Sequence, residues 1–396
     1  MENQNKINGE IFHNTIKILK DLIKFQTVSG ESNIQLIEYC ENILQQSGAI
    51  SFKTFNKSKT QANLFSTIKA DGSNDKGIVL SGHTDVVPAI ANEWTSNPYI
   101  AREDSNKIFG RGTCDMKGFI ACALAVAPLF ASKKLKRPIH FSFTFDEETG
   151  CLGAPLVLDD LKKRGLNVSA CIIGEPTNMK AITANKGYNE YVTHFKGVSG
   201  HASNPESGVS AIEYAIEYSN KLLELKNKLK DRKIERKIFS PPYSTLQIGK
   251  ISGGIGANVI ADKCSLAWEV RPIDKEDENF VNKSIDKFTS DILLPKLKKD
   301  NPKGDIKKEI IGEVVGFDKK DRSEAVDLVC NLTGDNSINT MSFGTEAGLF
   351  QNSGISTVIC GPGSIEQAHT VDEFISYDQL KKCLKMLISL REKIIN

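Results

Sequence analysis

The stretch Ile-His-Phe-Ser-Phe-Thr-Phe-Asp-Glu-Glu-Thr-Gly, residues 139–150, joins a strand pattern to a cluster of acidic side chains. Apolar residues alternate with polar ones from Ile139 to Phe145, which is the period of a β-strand. Three acidic residues, Asp146, Glu147 and Glu148, follow at once. The pattern predicts a strand that ends at a functional edge of a sheet.

Short apolar runs on both sides of this stretch indicate further buried strands, at 77–81, 170–174 and 356–360. Helical spacing of apolar residues occurs between them, at 11–25 and 117–130. Strands that alternate with helices predict a mostly parallel sheet covered on both faces. We therefore expect an α/β main domain formed by residues 1–183 and 316–396.

The middle of the chain follows a different order of elements. Strand patterns at 190–197, 244–251, 263–271 and 306–315 combine with helical patterns at 210–225 and 276–292. The resulting order, β-α-β-β-α-β, is that of a ferredoxin-like unit. We expect a smaller α+β domain inserted at residues 184–315.

The composition is that of an ordinary globular protein and excludes several classes. Lys and Arg number 51 and Asp and Glu number 49, so the net charge of +2 argues against a nucleic-acid partner. No apolar run reaches the roughly 20 residues that cross a bilayer, which argues against a membrane partner. Residues 1–10 are polar, and the nine cysteines contain no Cys-x-x-Cys pair. We expect a cytoplasmic protein with reduced thiols.

Histidines and acidic residues follow the ends of the predicted strands. Ligands bind outside the carboxyl ends of strands in an open α/β sheet, so these side chains should converge. Carboxylates packed together repel one another, and divalent cations remove that repulsion. Two cations that share one bridging carboxylate need two further ligands each, which makes five residues in all. The chain supplies that set in His83, Asp115, Glu148, Glu175 and His369. Glu147 is left over as a general base.

Each of these residues alone also has an ordinary structural explanation. Asp115 could cap the following helix, and residues 146–148 could form a solvated acidic turn. His83 and His369 could be loop residues without a chemical role. Taken together, their positions near the ends of the predicted strands favour a shared metal centre over these separate structural explanations.

Five segments of the chain resemble the successive motifs of the M20 metallopeptidase and deacylase family. They are Ser-Gly-His-Thr-Asp-Val-Val-Pro (81–88), Gly-Arg-Gly-Thr-Cys-Asp-Met-Lys-Gly (110–118), Asp-Glu-Glu-Thr-Gly (146–150), Gly-Glu-Pro-Thr (174–177) and Ala-His-Thr-Val-Asp-Glu-Phe (368–374). The resemblance implies a zinc-exopeptidase-like catalytic domain with an inserted dimerisation, or lid, domain.

The resemblance also implies a role for each site residue. One zinc or cobalt ion would bind His83, Asp115 and Glu175, and a second would bind Asp115, Glu148 and His369. Glu147 would be the catalytic base, and Asp85 would hydrogen-bond the imidazole of His83. His201 would reach the active site of the partner subunit and stabilise the oxyanion there, which requires a homodimer formed through the lid domain.

Within the family, segments 112–119, 242–249, 269–272, 344–347 and 361–369 are similar to those of acetylornithine deacetylases. This implies removal of the acetyl group from N2-acetyl-L-ornithine, a step of arginine biosynthesis. Arg271 and Asn258 would bind the substrate carboxylate, and Glu346 its ammonium group. The alternatives are another N-acyl-amino-acid hydrolase, such as a succinyl-diaminopimelate desuccinylase, an acetylcitrulline deacetylase or an aminoacylase, or a non-catalytic relative that binds acyl amino acids.

Overall fold

The computed structural model describes residues 2–71, 76–232, 238–318 and 323–395. Contacts within the chain divide it into two compact units. The main unit comprises Met1–Thr183, Asp318–Asn339 and Glu346–Asn396. The inserted unit comprises Ala184–Phe317 and Thr340–Thr345. The dimerisation and lid roles expected for the insertion stay predictions.

The main unit is formed by helices and strands from both ends of the chain. Before the insertion they are α1 (Glu2–Lys24), α2 (Ile34–Gln46), β1 (Ile50–Phe55), β2 (Ala62–Ile68), β3 (Gly77–His83), β4 (Arg102–Asp104), β5 (Lys107–Phe109), α3 (Lys117–Ala131), β6 (Ile139–Thr144), α4 (Gly153–Lys163), β7 (Val168–Pro176) and β8 (Ala181–Asn185). The elements of the inserted unit are β9 (Tyr188–Lys196), β10 (Gly200–His201), α5 (Ala211–Asp231), β11 (Thr245–Gly253), β12 (Val259–Ile260), β13 (Lys263–Arg271), α6 (Lys275–Phe288), α7 (Leu294–Asp300) and β14 (Asp305–Val314). After the insertion, the chain continues with α8 (Glu324–Thr333), β15 (Ile338–Met341), α9 (Ala347–Asn352), β16 (Ser356–Gly361), β17 (Phe374–Ser376) and α10 (Tyr377–Ile394).

The main sheet has the strand order β1-β2-β6-β3-β7-β16-β8-β15. Its four central strands, β6, β3, β7 and β16, pair in parallel, whereas β1, β2 and β8 join by antiparallel pairing. This confirms the expected α/β class with a parallel sheet at its centre. The carboxyl ends of the central strands lie along one edge, where ligands of such sheets bind.

Helix α3 is apolar on all sides, and every residue from Lys117 to Ala127 is buried, as expected of a helix enclosed by other elements. It packs against α1, α2 and α10. Strand β6 is buried along its whole length, including the polar side formed by His140, Ser142 and Thr144. The alternation in its sequence therefore separates two covered faces rather than a covered face from a solvated one.

The inserted unit contains an antiparallel sheet with the strand order β11-β13-β9-β14. Helix α5 packs against β9, β11 and β13 and against α6. The core contains Tyr191 and Trp268, whose ring centroids lie 4.5 Å apart, and the Trp268 indole N–H donates to the hydroxyl of Thr193 over 3.1 Å. The order of strands and helices is the ferredoxin-like order expected from the sequence.

Across the described ranges, no helix combines the length and the apolar composition needed to cross a bilayer.

Candidate metal centre

The five residues expected to bind metal lie together at the carboxyl edge of the main sheet. His83 is the last residue of β3, and Glu175 lies near the end of β7. Asp115 precedes α3, Glu148 follows β6, and His369 follows β16. The structure groups them into two sets, one of His83, Asp115 and Glu175 and one of Asp115, Glu148 and His369. Within each set, one ligand atom from each residue lies within 4.8 Å of the others.

The first set surrounds the ring nitrogen Nε2 of His83. This atom lies 2.9 Å from Oδ1 of Asp115 and 3.8 Å from Oε1 of Glu175. All three side chains are almost completely buried. Oε1 of Glu175 has no hydrogen-bond partner among the described residues, although it is buried. A buried carboxylate oxygen without a donor is costly unless a cation faces it.

The second set surrounds Nε2 of His369. This atom lies 3.0 Å from the Glu148 carboxylate and 3.4 Å from Oδ2 of Asp115. Asp115 therefore directs one carboxylate oxygen toward each histidine. That is the placement required of a carboxylate that bridges two cations.

The electrostatics of the cluster favour a bound cation. Burial raises the pKa of Glu175 and of Glu148, and the neighbouring carboxylate of Asp115 raises both further. Hydrogen bonds to Asp115 and Glu148 raise the pKa of His369 to about 10, although burial opposes this. Burial alone would raise the pKa of Asp115, but hydrogen bonds to the two histidines hold it below its usual value. Divalent cations would neutralise this excess of carboxylates, and the imidazole and carboxylate donors suit zinc, cobalt or manganese.

Asp85 contacts His83 through its backbone carbonyl and the acidic turn after β6 through its carboxylate. Nδ1 of His83 lies 3.0 Å from the backbone carbonyl of Asp85 and 3.6 Å from its carboxylate oxygen Oδ1. The carboxylate accepts hydrogen bonds from the hydroxyl of Ser29 over 2.7 Å and from the backbone N–H groups of Glu147 and Glu148 over 3.1 and 3.2 Å. Asp85 thus fixes both the ring and the turn that carries Glu147.

Glu147 lies beside the two sets but belongs to neither. Burial raises the pKa of its carboxyl group, and the nearby carboxylates of Glu148 and Glu346 raise it further. The thiol of Cys151 lies 3.6 Å from its Oε1 atom. A partly buried carboxylate of raised pKa that does not bind metal is suited to accept and release a proton.

The substrate-binding residues expected from the sequence lie in both units. In the inserted unit, Arg271 at the end of β13 pairs with Glu269 over 2.9 Å, and Asn258 is exposed. His201 on β10 is also exposed there, with its Nδ1 atom 2.7 Å from the hydroxyl of Ser203. Glu346 lies in the main unit and is only 1% exposed. The roles proposed for these four residues stay predictions.

Two buried charged residues close in sequence to the candidate ligands were not singled out from the sequence. Glu373 accepts hydrogen bonds from the turn that carries Asp115. Lys117 is fully buried, with its Nζ atom donating to the carbonyl of Phe25 over 2.8 Å, and burial lowers its pKa to about 7. Both occur in the quoted motifs 110–118 and 368–374, but the five candidate ligands and Glu147 complete the expected two-cation site without them.

Comparison with known proteins shows the family to which the chain is similar. Residues 79–393 match peptidase family M20/M25/M40. The chain is 32% identical over 384 residues to an acetylornithine deacetylase of Buchnera aphidicola, which covers 96% of this chain and 97% of that protein. It is 34% identical over 325 residues to an acetylornithine deacetylase of Pectobacterium atrosepticum, which covers 82% of each.

Solved structures share the fold at lower sequence identity. A dipeptidase from Saccharomyces cerevisiae superposes with a TM-score of 0.76 at 15% identity, covering 98% of this chain and 97% of that chain. A dinuclear metal-binding peptidase of the M20 family from Bacillus subtilis superposes with a TM-score of 0.63 at 16% identity, covering 97% of this chain and 98% of that chain.

Proposed function

Because the chain belongs to peptidase family M20/M25/M40, it is a metal-dependent amide hydrolase, and we propose that it hydrolyses N2-acetyl-L-ornithine to L-ornithine and acetate. The single observation that supports this chemistry is that Asp115 belongs to both groups of imidazoles and carboxylates that could hold a metal ion, with Glu147 close enough to His83 and Glu148 to interact electrostatically with them. The acetylornithine deacetylases at 32% and 34% identity support the choice of substrate.

We propose that two divalent cations, zinc or cobalt, bind to the two ligand sets. When bound, such cations polarise the amide carbonyl and lower the pKa of water. Glu147 would take a proton from the attacking water and deliver it to the leaving α-amine. The hydrogen bond from its backbone N–H to Asp85 would keep the turn in place during both transfers.

We propose one set of binding residues for each charged end of acetylornithine, the carboxylate and the ammonium group. Arg271 can bind a carboxylate through two N–H groups, and Asn258 can add a third donor. Arg271 is held between Glu269 and the ring of Tyr188, so its guanidinium group is already oriented. Glu346 is the candidate for the ammonium group, although it would have to become accessible. An unchanged preference of Glu346→Gln for acetylornithine over acetylmethionine would rule that assignment out.

We also propose a homodimer formed through the inserted unit. Strand β11 is an edge strand of its sheet and carries Ile251, which is 51% exposed, and Ile255, two residues after the end of the strand, is 90% exposed. Exposed apolar residues on an open edge favour pairing with another chain. The His201 role can then be tested by mixing the His201→Ala and Glu147→Ala proteins. Recovery of activity in the mixture is expected if each subunit supplies His201 to the partner's site.

The substrate is tested by initial rates on acetylornithine, acetylcitrulline, succinyl-diaminopimelate and acetylmethionine, with and without added zinc or cobalt. We expect acetylornithine to give the highest kcat/KM and turnover to depend on the cation. A higher kcat/KM on another of these amides would replace the proposed substrate by that one. Tight binding of acylated amino acids without turnover would instead indicate a non-catalytic relative.

The catalytic base is tested by Glu147→Gln, which keeps the size of the side chain but removes the proton acceptor. We expect turnover to fall by about 100- to 10,000-fold while both cations remain bound. Near-normal turnover of this variant would contradict the assignment.

A further inference from the structure

A carboxylate that has no part in the proposed mechanism lies behind the metal centre. Glu373 is only 1% exposed and lies four residues after His369 in the sequence. It immediately precedes β17, which pairs with β5. A buried carboxylate is expected to have a strong set of donors, and their identity shows what it holds in place.

Among the described residues, the donors to the Glu373 carboxylate come from one short turn. Its Oε1 atom accepts from the backbone N–H groups of Cys114 over 2.8 Å and of Asp115 over 3.0 Å. Its Oε2 atom accepts from the backbone N–H of Gly112 over 2.8 Å and from the guanidinium of Arg111 over 2.8 Å. The turn 111–115 thus closes around this carboxylate, and one of its donors is the backbone of the bridging residue itself.

The backbone of Glu373 also connects its own segment to the segment that precedes the turn 111–115. Its carbonyl accepts from the N–H of Gly110 over 2.9 Å, and the next residue, Phe374, pairs with Phe109 across β17 and β5. The segment that carries His369 is therefore tied to the segment that carries Asp115. These two residues are ligand candidates of the same set, and Asp115 also belongs to the other.

We propose that Glu373 is a positioning residue that fixes the orientation of Asp115 and thereby sets the affinity of both metal positions. This inference rests on the metal centre given under the proposed function. In Glu373→Gln, the amide nitrogen faces two donors and cannot accept from either. The turn must then shift, and the Asp115 carboxylate shifts with it. Loss of a group that orients a metal ligand typically weakens metal binding by about 10- to 100-fold.

The test is a cobalt titration of the full-length metal-free protein, because the visible absorption of Co²⁺ reports both binding and coordination geometry. The wild type is compared with Glu373→Gln, with Glu373→Asp and with Glu366→Gln, each at a temperature well below its unfolding midpoint. Glu366 is an exposed residue of the chain segment between β16 and His369, so its replacement is the matched control.

We expect the wild type to bind two equivalents of Co²⁺. Glu366→Gln should bind the same number, with the affinities and the absorption spectrum of the wild type. Glu373→Gln should bind both equivalents about 10- to 100-fold more weakly and with a changed spectrum. Glu373→Asp keeps the charge on a shorter side chain and should lie between the two.

A Glu373→Gln protein with wild-type affinity and spectrum but a lower unfolding midpoint would overturn the proposal, because Glu373 would then stabilise only the fold. If Glu373→Gln does not fold, Glu373→Asp decides by the same criterion. A wild type that binds no Co²⁺ would contradict the metal centre itself and this inference with it. A wild type that binds two equivalents but hydrolyses none of the amides would contradict only the proposed function, since the affinity comparison would remain decisive.

Discussion

His140 is a buried histidine that lies outside the metal centre. It is 2% exposed, its Nδ1 atom lies 2.9 Å from the hydroxyl of Thr67, and its Nε2 atom has no hydrogen-bond partner among the described residues. Burial lowers its pKa to about 4, because the charged form of the ring would be removed from water. The folded protein therefore holds this ring neutral at pH values where an unfolded chain would protonate it.

The burial of His140 predicts a loss of stability in mild acid. Its pKa is lower in the folded chain than in the unfolded chain, where it is near 6.5. The contribution of the neutral His140 ring to the free energy of unfolding is therefore fully present above about pH 6.5. It is lost as the pH falls through about 4, and the total loss is roughly 3 kcal/mol. We expect His140→Gln to have a flatter pH dependence of the free energy of unfolding. Urea unfolding of the metal-free protein from about pH 7 to about pH 4 measures it.

The control for this experiment is His13→Gln, which replaces an exposed histidine of α1. It should keep the wild-type pH dependence. If both variants lose stability in acid as steeply as the wild type, His140 is not the group responsible.

At the scale of elements, the position of α3 depends on a glycine in β7. A Cβ atom on Gly174 would lie 1.9 Å from the ring of Phe119, a fully buried residue of α3. The strand that carries Glu175 and the helix that follows Asp115 are therefore in direct contact. Close packing of this kind leaves no space for an additional methyl group.

Gly174→Ala should destabilise the protein because the helix or the strand must move. Overpacking a core typically costs about 1–3 kcal/mol in the free energy of unfolding, which urea unfolding measures. Gly9→Ala is the matched control, since a Cβ atom there meets nothing within 4 Å and α1 should gain up to about 1 kcal/mol. Equal stability of Gly174→Ala and the wild type would show that the two elements separate easily.

The sequence predicted the central elements because their patterns are local. The alternation at 139–145, the apolar run at 77–81 and the apolar helix from Lys117 onward each report burial directly. The small sheet of β17, β5 and β4 was not predicted, since strands of three residues are too short to show a period. The predicted helix 276–292 continues instead through a π-helical turn, Thr289–Leu293, into α7.

The positions of the candidate site residues were predicted for a different reason, and their roles remain predictions. Residues at strand ends could be found because the topology of a parallel sheet brings those ends together. The role of Glu373 depends on backbone N–H groups of a turn that lies about 260 residues away in the sequence, and no pattern in the sequence reports such pairing. The exposed sites on the inserted unit, His201 and Asn258, remain predictions.

At the scale of the whole molecule, we expect metal binding and folding to be coupled. The candidate ligands come from five separate segments and converge only in the folded main unit, so cations should bind the native chain and not the unfolded one. Zinc at 100 times its dissociation constant should therefore add about 2.7 kcal/mol to the free energy of unfolding. Thermal unfolding with and without zinc measures this effect as a higher midpoint.

Two comparisons make the zinc experiment specific. Mg²⁺ at the same ionic strength should give a smaller shift, because it prefers sites made only of oxygen ligands. Glu147→Gln should keep the full zinc effect, since Glu147 belongs to neither ligand set, whereas His369→Ala should lose part of it. Equal shifts for all of these proteins would place the bound zinc somewhere else on the molecule.

The order of the ligands along the chain has a consequence for biosynthesis. His83, Asp115, Glu148 and Glu175 precede the inserted unit, and His369 follows it. A growing polypeptide on the ribosome thus exposes the complete first ligand set early. The second set lacks its imidazole until translation has passed through the whole insertion. We expect a nascent chain interrupted within the inserted unit to form neither site, because β16 and the last helices of the main unit are then still missing.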